Sequence, residues 1–226
     1  MPPFKPMTSA PQFRQQFVEF AIKQDALCFG EFKTKAGRLS PYFFNSGLFS
    51  DGAALAGLTR FYAQAAIASG VQFDMLFGPA YKGITLAAGM AIALADMGRN
   101  VPFAFNRKEA KDHGEGGLIV GQPLKGRVLI IDDVISNGAS KRESVEMIRA
   151  AGAVTAGVLI ALDRQEVGAL AGSTTSAAQE FNQNAGVPVI AVATLADIVN
   201  YLRQQPGERD KLEKIEQYRQ RYGATL

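Results

Sequence analysis

Two adjacent carboxylates directly follow an apolar run near the middle of the chain. Residues 128–131 are continuously apolar, and Asp132 and Asp133 come next. A short run bounded by glycine and acids is typical of a strand that is buried on both faces of a parallel sheet. Ligands in open α/β sheets bind just outside the carboxyl ends of the strands. We therefore predict that both carboxylates face a ligand, and adjacent acids suit two neighbouring hydroxyl groups, as on a ribose.

The residues after the acidic pair are suited to holding a phosphate. Val134 and Ile135 lead into a small, hydroxylated loop made of Ser136, Asn137, Gly138, Ala139 and Ser140. Residues 141–151 have helical spacing, so a helix N-terminus would add partial positive charge beneath the phosphate. The alternative is an ordinary strand, turn and helix with solvated aspartates. We favour the phosphate site, because the acids continue the apolar run instead of lying in a polar cluster.

This pattern resembles a known signature. An apolar strand, an acidic pair and a hydroxyl-and-glycine loop are similar to the phosphoribosyl-diphosphate (PRPP) motif of type I phosphoribosyltransferases. The resemblance implies that Asp132 and Asp133 bind the ribose hydroxyls and that residues 134–140 hold the 5′-phosphate. The chain has no P-loop, and no Gly-x-Gly-x-x-Gly follows a predicted strand. A dinucleotide-binding fold is therefore disfavoured.

A second cluster combines cations with glycines. Residues 106–117 contain three cations, three glycines and the single histidine of the chain. No hydrophobic stripe marks a helix, so we predict a mobile cationic loop that closes over a polyanion and neutralises a departing pyrophosphate. The alternative is a solvated loop in which Asp112 and Glu115 compensate the cations, and spacing alone leaves both open.

The order of residues in this loop decides between these alternatives. Residues 107–114 read Arg-Lys-Glu-x-Lys-x-His-Gly, which resembles the catalytic loop of the orotate phosphoribosyltransferase family. The resemblance implies a homodimer in which loop 107–117 reaches the partner active site. It also implies that pyrophosphate is surrounded by Arg107, Lys108, Lys111 and His113. Of these, Lys108, Lys111 and His113 join Asp132 and Asp133 as the implied catalytic residues.

Three further segments are similar to parts of the same family. Residues 35–45 resemble its substrate-binding hairpin, in which Lys35 would contact PRPP while Phe43 and Phe44 hold orotate. Adjacent aromatics point to opposite faces of a strand, so we expect one of these two rings to lie in the core. Residues 73–83 form a strand and a glycine-bounded turn, where Tyr81 and Lys82 could meet the pyrophosphate. A plain turn is the alternative.

Arg164 is the third of these matches, at the end of the strand predicted over residues 154–162. A guanidinium can pair bidentately with a planar carboxylate such as that of orotate. The alternative is a surface salt bridge to Asp163 or Glu166. The orotate-binding set implied by the resemblance is Phe43, Phe44, Ser136 and Arg164.

Strands and helices alternate along the chain. The strands are predicted near residues 73–77, 102–106, 127–132, 154–162 and 187–192. Alternation with helices implies parallel pairing through right-handed crossovers. The predicted fold is therefore α/β: a central, mostly parallel sheet flanked by helices, as in type I phosphoribosyltransferases, with a small N-terminal hood.

The predicted domain organisation is simple. Residues 1–226 form a single phosphoribosyltransferase domain, with a hood made of about residues 1–50 plus the C-terminal helical segment. The tail over 195–222 is predicted as two polar helices broken at 206–207. We expect the N-terminal hairpin and the C-terminal helix to lie together over the carboxyl edge of the sheet.

Composition sets broader limits. The 226 residues are 47% hydrophobic and 20% charged, enough to bury one core. One cysteine, Cys28, excludes an internal disulfide and favours a reducing compartment. No secretory signal or bilayer-length apolar stretch is evident, so we expect a cytoplasmic protein with no membrane partner. The net charge of +3 is a small excess that anionic substrates explain, and we expect no nucleic-acid partner.

The resemblance implies a specific reaction. PRPP and orotate would give orotidine 5′-monophosphate and pyrophosphate, a step of pyrimidine biosynthesis. Mg²⁺ is the implied cofactor, held mainly by substrate, with Asp132 and Asp133 binding it directly or through water. Two rivals stay open: a PRPP-sensing regulator that binds nucleic acid without turnover, and a purine phosphoribosyltransferase. The regulator is disfavoured because such proteins carry an extra DNA-binding domain, for which this chain has no room. The purine enzyme is disfavoured by the hairpin and the cationic loop.

Overall fold

A twisted sheet with helices on both faces carries the site. The computed structural model describes residues 10–34, 37–111, 117–136, 138–168 and 173–225. The helices are α1 (Ala10–Lys23), α2 (Gly52–Ser69), α3 (Lys82–Asp96), α4 (Ala139–Ala150), α5 (Ala177–Ala185), α6 (Leu195–Arg203) and α7 (Arg209–Tyr222). The strands are β1 (Leu27–Lys33), β2 (Leu39–Phe44), β3 (Met75–Gly78), β4 (Phe103–Lys111), β5 (Gly117–Gly121), β6 (Arg127–Ile131), β7 (Val154–Asp163) and β8 (Val189–Thr194).

Within these ranges, six strands form the main sheet in the order β5-β4-β3-β6-β7-β8. All neighbours are parallel except β4 and β5, so the predicted mostly parallel α/β fold is confirmed. The chain leaves β3 toward one edge and returns to place β6 on its other side. The crevice at the carboxyl ends of β3 and β6 is thus a topological switch point, where ligands of open α/β sheets bind.

Strand β6 is buried on both faces, as its continuous apolar run predicts. Leu129 and Ile131 pack into a core with α2 and α3, whereas Val128 and Ile130 pack into a second core with α4 and α5. Successive side chains of a strand point to opposite faces, so one short run serves both cores. The acidic pair is thereby fixed at the carboxyl end of a rigid central strand.

The prediction for residues 106–117 was partly wrong. Strand β4 was predicted to end near residue 106, but it continues to Lys111, and β5 returns antiparallel beside it. Antiparallel pairing supplies backbone hydrogen bonds along a segment that has no hydrophobic stripe, and this pairing could not be read from side-chain periodicity. Residues 112–116, including His113, lie outside the described residues.

The N-terminal hairpin and the C-terminal helix contact each other. Tyr42 of β2 meets Tyr218 of α7 edge to face, with ring centroids 6.3 Å apart. Arg38 lies over the ring of Tyr222 and donates to the carbonyl oxygens of Val167 and Gly168. The two tail helices form as predicted, although α6 is amphipathic and buries an apolar face. The division into one domain and a hood stays a prediction.

None of the helices in the described ranges is both long enough and apolar enough to span a bilayer.

Close approach of α3 to the sheet depends on Gly83, and we expect Gly83→Ala to destabilise the protein. A Cβ at Gly83 would lie 2.6 Å from Pro79 Cδ and 2.7 Å from the carbonyl oxygen of Ile131. Overpacking of this kind typically costs about 1–3 kcal/mol. Urea denaturation measures the loss. Gly52→Ala is the control, because a Cβ there meets nothing within 4 Å, and equal midpoints for the two variants would contradict this reading.

Candidate active site

Asp132 is held by partners inside the protein at each of its polar groups. Its backbone N–H donates to Leu159 at 3.0 Å, and its carbonyl oxygen accepts from the Tyr62 hydroxyl at 2.8 Å. One carboxylate oxygen accepts from the N–H of Asp133 at 2.9 Å, and the other pairs with the ammonium of Lys141. The residue is 7% exposed. Its position is therefore determined by the surrounding fold.

Asp133 differs because part of its carboxylate is held by side chains at the rim. Oδ1 accepts from the N–H of Val134 at 2.8 Å. Oδ2 accepts from the Ser46 hydroxyl at 2.9 Å and from the Lys82 ammonium at 2.7 Å. The Lys82 side chain is 54% exposed. Its ammonium can return to water, so a ligand that brings its own cation or hydroxyl groups can replace it on the Asp133 carboxylate, whose side chain is 12% exposed.

The two acids also differ electrostatically. Burial raises the pKa of Asp132 above its usual value, although the charge and hydrogen bond of Lys141 lower it. Burial acts in the same direction on Asp133, but hydrogen bonds from Lys82 and Ser46 outweigh it, so the pKa of Asp133 lies below its usual value. Asp133 is therefore fully ionised at neutral pH, as a partner for hydroxyl groups or a cation should be.

The predicted phosphate loop joins the acidic pair to α4. Gly138 has φ +70° immediately before the helix, a left-handed conformation that suits glycine. Ser136 is exposed, while Ile135 packs against the second core. The start of α4 thus faces the rim of the sheet with backbone N–H groups at its N-terminus, which suits an anion. Val134, Ala139 and Ser140 complete this segment, and Asn137 lies outside the described residues.

Tyr81 and Lys82 stand on the other side of the switch point, where α3 begins. Tyr81 is 73% exposed, and the ammonium of Lys108 lies 6.0 Å from its ring centroid. The buried Asn106 side chain accepts from the N–H of Ala80 at 2.9 Å and so ties this turn to β4. The structure therefore brings Lys82 to the acidic pair and Lys108 to the neighbouring Tyr81, although these residues are far apart in the sequence.

The cationic loop is described in part. Arg107 lies in β4 and donates to the carbonyl oxygen of Gly117 at 3.2 Å. Lys111 ends β4, opposite Gly117 in the antiparallel register, and its side chain is not described. Lys35 and His113 lie outside the described residues. The roles predicted for these four residues stay predictions.

The hairpin separates its two adjacent aromatics, as expected. Phe44 packs into the core beside Phe17 and Phe49. Phe43 is 44% exposed and stacks on Phe32, with ring centroids 5.4 Å apart. Of the two, Phe43 has the exposed face that a flat substrate needs.

Arg164 forms the salt bridge that was the alternative to carboxylate binding. Its guanidinium donates to Glu166 from Nε at 2.9 Å and from Nη2 at 2.7 Å, and it also reaches the Ser40 hydroxyl at 3.1 Å. The Tyr42 ring lies 4.7 Å from its Cζ. Although burial lowers the pKa of Arg164, Tyr42 and Glu166 outweigh this and raise it, so the group stays cationic. Its neighbour Ser40 belongs to the same strand as Phe43.

Ser46, Tyr62 and Lys141 were missed by sequence reasoning. Ser46 and Tyr62 reach the acidic pair from distant elements, and no local pattern marks them. Lys141 did leave a signal, because it shares a helical face with Val145 and Ile148 and is the one cation on that apolar stripe.

Comparison with known proteins agrees with this geometry. The phosphoribosyl transferase domain family matches residues 49–189. An orotate phosphoribosyltransferase of Thiobacillus denitrificans is 61% identical over 211 residues, covering 93% of this chain and 98% of that protein. One of Chromobacterium violaceum is 62% identical over 211 residues, covering 93% and 97%.

Solved structures give the same result. The crystal structure of an orotate phosphoribosyltransferase from Francisella tularensis has a TM-score of 0.83 and 43% identity, covering 92% of this chain and 100% of that chain. Sequence identity, coverage and fold agree across these comparisons. The chain belongs to the orotate phosphoribosyltransferase family, within the phosphoribosyl transferases.

Proposed function

We propose that this protein transfers the phosphoribosyl group of PRPP to N1 of orotate, giving orotidine 5′-monophosphate and pyrophosphate in pyrimidine biosynthesis. The single observation that carries this assignment is near-full-length identity of about 60% to orotate phosphoribosyltransferases. The placement of the acidic pair, Lys82 and the start of α4 around one switch point supports it.

This transfer depends on charged groups fixed beside the ribose and the leaving pyrophosphate. Breaking the bond between C1 and pyrophosphate develops positive charge on the ribose and negative charge on the leaving group. Fixed groups of opposite sign lower that barrier, and their effect is larger where water is excluded. Asp133 at the rim supplies negative charge for the ribose side, and Lys82, with Lys108 nearby, supplies positive charge for the pyrophosphate. Closure of the 107–117 loop would keep water from intercepting the sugar cation.

Mg²⁺ is the cofactor that we propose. Within the described ranges, no group of three or more His, Cys, Asp or Glu side chains is arranged to hold a metal ion. The donor set at the rim is Asp133, with Asp132 behind it, and a hard cation held mostly by substrate oxygens and water fits such a set. Either carboxylate would bind it directly or through water. When bound, Mg²⁺ supplies neutralising charge to the pyrophosphate.

The orotate side is proposed to use β2 and the segment after β7. Phe43 offers an exposed ring, and Arg164 offers a guanidinium whose present partner is Glu166. Orotate would compete with Glu166 for Arg164 through its own carboxylate, and Ser136 would reach the base from the phosphate loop. Phe44 acts through packing, because its ring lies in the core.

We further propose a cytoplasmic homodimer in which loop 107–117 completes the partner's site. The reasons are the resemblance of this loop to the family's catalytic loop and the single cysteine, which favours a reducing compartment. PRPP and orotate are the proposed small-molecule partners. Neither nucleic acid nor membrane is among them.

A steady-state assay with a panel of bases tests the function. With PRPP and Mg²⁺ present, we expect turnover of orotate and at least about 100-fold lower kcat/KM for uracil, hypoxanthine and adenine. Uracil lacks the carboxylate that Arg164 would pair with, and buried polar groups left without partners disfavour such an analogue strongly. Turnover of a purine with orotate inert would overturn the base assignment and leave the fold unaffected. No turnover with any base would favour the alternative function, a regulator that binds PRPP without turning it over.

A further inference from the structure

Lys141 is a buried cation that the chemistry described above does not use. Its side chain is 7% exposed, and lysine is rarely buried to this degree without a charged partner. Its ammonium pairs with Asp132 and donates to the carbonyl oxygen of Val134 at 2.7 Å. One side chain therefore joins three parts of the site: the acidic pair, the phosphate loop and the first turn of α4.

The two lysines at the acidic pair differ in their freedom. Lys82 is half exposed and binds Asp133 beside the opening. Lys141 lies below the loop, and moving its ammonium away would leave both that charge and the carboxylate of Asp132 buried without partners. The two carboxylates are about equally buried, with 12% and 10% of the side chain exposed, so the difference lies in the lysines: Lys82 reaches water when it is replaced, and Lys141 does not. Lys82 is thus an exchangeable counter-ion, and Lys141 is a fixed one.

We propose that Lys141 is a positioning residue for PRPP, which fixes Asp132 and the carbonyl of Val134 so that the acidic pair and the phosphate loop are set before the substrate arrives. This rests on the function proposed above. It assigns different tasks to the two acids: Asp132 keeps its internal counter-ion throughout, and Asp133 exchanges Lys82 for the substrate.

Charge also predicts which substrate is affected. Without Lys141, the buried carboxylate of Asp132 would have no counter-ion beside the entry point of an anionic phosphate, and any negative charge it keeps would repel that phosphate with little screening. The proposed orotate contacts lie against other partners: the ring of Phe43 stacks on Phe32, and the guanidinium of Arg164 binds Glu166 and Ser40. The effect of removing Lys141 should therefore fall on PRPP.

The test compares Lys141→Met and Lys141→Gln with the native enzyme, with Arg149→Gln as control. Arg149 lies on the same helix, but it is exposed and pairs with Glu146 at the surface. We expect Lys141→Met to weaken PRPP binding by roughly 10- to 100-fold in titration calorimetry without orotate, because hydrogen bonds to charged groups are lost. Lys141→Gln keeps a donor and should lose less. KM for orotate should change by less than about twofold, and Arg149→Gln should match the native enzyme.

Two measurements separate positioning from a merely structural role. Calorimetry with ribose 5-phosphate in Mg²⁺-free buffer should show the same loss, since the proposal concerns the phosphate loop and not the metal. In the same Mg²⁺-free buffer, the double variant Lys141→Met/Asp132→Asn should bind ribose 5-phosphate more tightly than Lys141→Met alone, because it removes the carboxylate that has lost its counter-ion. A lower thermal midpoint with unchanged affinity for both ligands would overturn the proposal.

Failure of this inference is distinguishable from failure of the proposed function. The native enzyme is first assayed with orotate, PRPP and Mg²⁺. An inactive native enzyme would overturn the function, whereas an active one whose Lys141→Met variant binds PRPP normally would overturn the positioning role alone. If Lys141→Met does not fold, Lys141→Gln gives the answer, because it keeps a hydrogen-bond donor on a side chain only one atom shorter.

Discussion

Replacing Asp133 with asparagine is expected to lower kcat/KM for PRPP by roughly 10²–10³-fold while the protein stays folded. The amide keeps the shape of the carboxylate and can still accept from the N–H of Val134, so the local structure survives. It loses the negative charge that Lys82 and Ser46 now stabilise. The transition state loses an anion beside the ribose as positive charge develops there. Steady-state kinetics at saturating orotate measures the loss, and circular dichroism checks the fold.

The control for this variant is Asp96→Asn. Asp96 ends α3 on the exposed surface, so the same change of charge is made away from the site. Its kcat/KM and urea midpoint should match those of the native enzyme. Near-normal turnover by a folded Asp133→Asn variant would remove this carboxylate from the mechanism.

Mixing two inactive variants is expected to restore about a quarter of native activity. Arg164→Ala damages the orotate side of a subunit's own site, and Lys111→Ala damages the loop that the subunit would extend to its partner. After subunit exchange, half of the dimers are mixed. Each mixed dimer has one site with both residues intact if the loop acts across the interface. Activity is measured before and after mixing, with dimer exchange followed by native mass spectrometry.

The matched control mixes Arg164→Ala with Asp133→Asn. Both residues belong to the same subunit's site, so every mixed dimer still carries one defect in each site and no recovery is expected. Recovery in the first mixture together with none in the second establishes a shared site. Equal absence of recovery in both mixtures would argue for self-contained subunits.

Much of this site was readable from local sequence. The acidic pair lies at the carboxyl end of a doubly buried strand because four apolar residues in succession have to cover both faces of a sheet. A short segment joins it to a helix as predicted, although α4 begins at Ala139, two residues before the predicted start at Lys141. Sequence also separated Phe43 from Phe44 by the pleat of a strand.

The side chains and strands that contact these residues could not be predicted in the same way. Lys82 and Asp133 are 51 positions apart, and they meet because β6 inserts beside β3 after the excursion through β4 and β5. Arg164 could pair with a ligand or with Glu166 on sequence grounds, and the fold places it on Glu166. The continuation of β4 to Lys111 also follows from its pairing with β5. No side-chain pattern in that segment predicts this pairing.

The sequence by itself determined the class of fold, the chemistry of the acidic pair and loop, and the family resemblance. Each of these is encoded in residue types and periodicities within a few turns of chain. Only the tertiary structure decided that Asp132 is held from inside by Lys141 and Tyr62 while Asp133 faces Lys82 and Ser46. Two identical neighbouring carboxylates differ because burial and charge partners are set by elements distant in sequence, and sheet order brings those elements together.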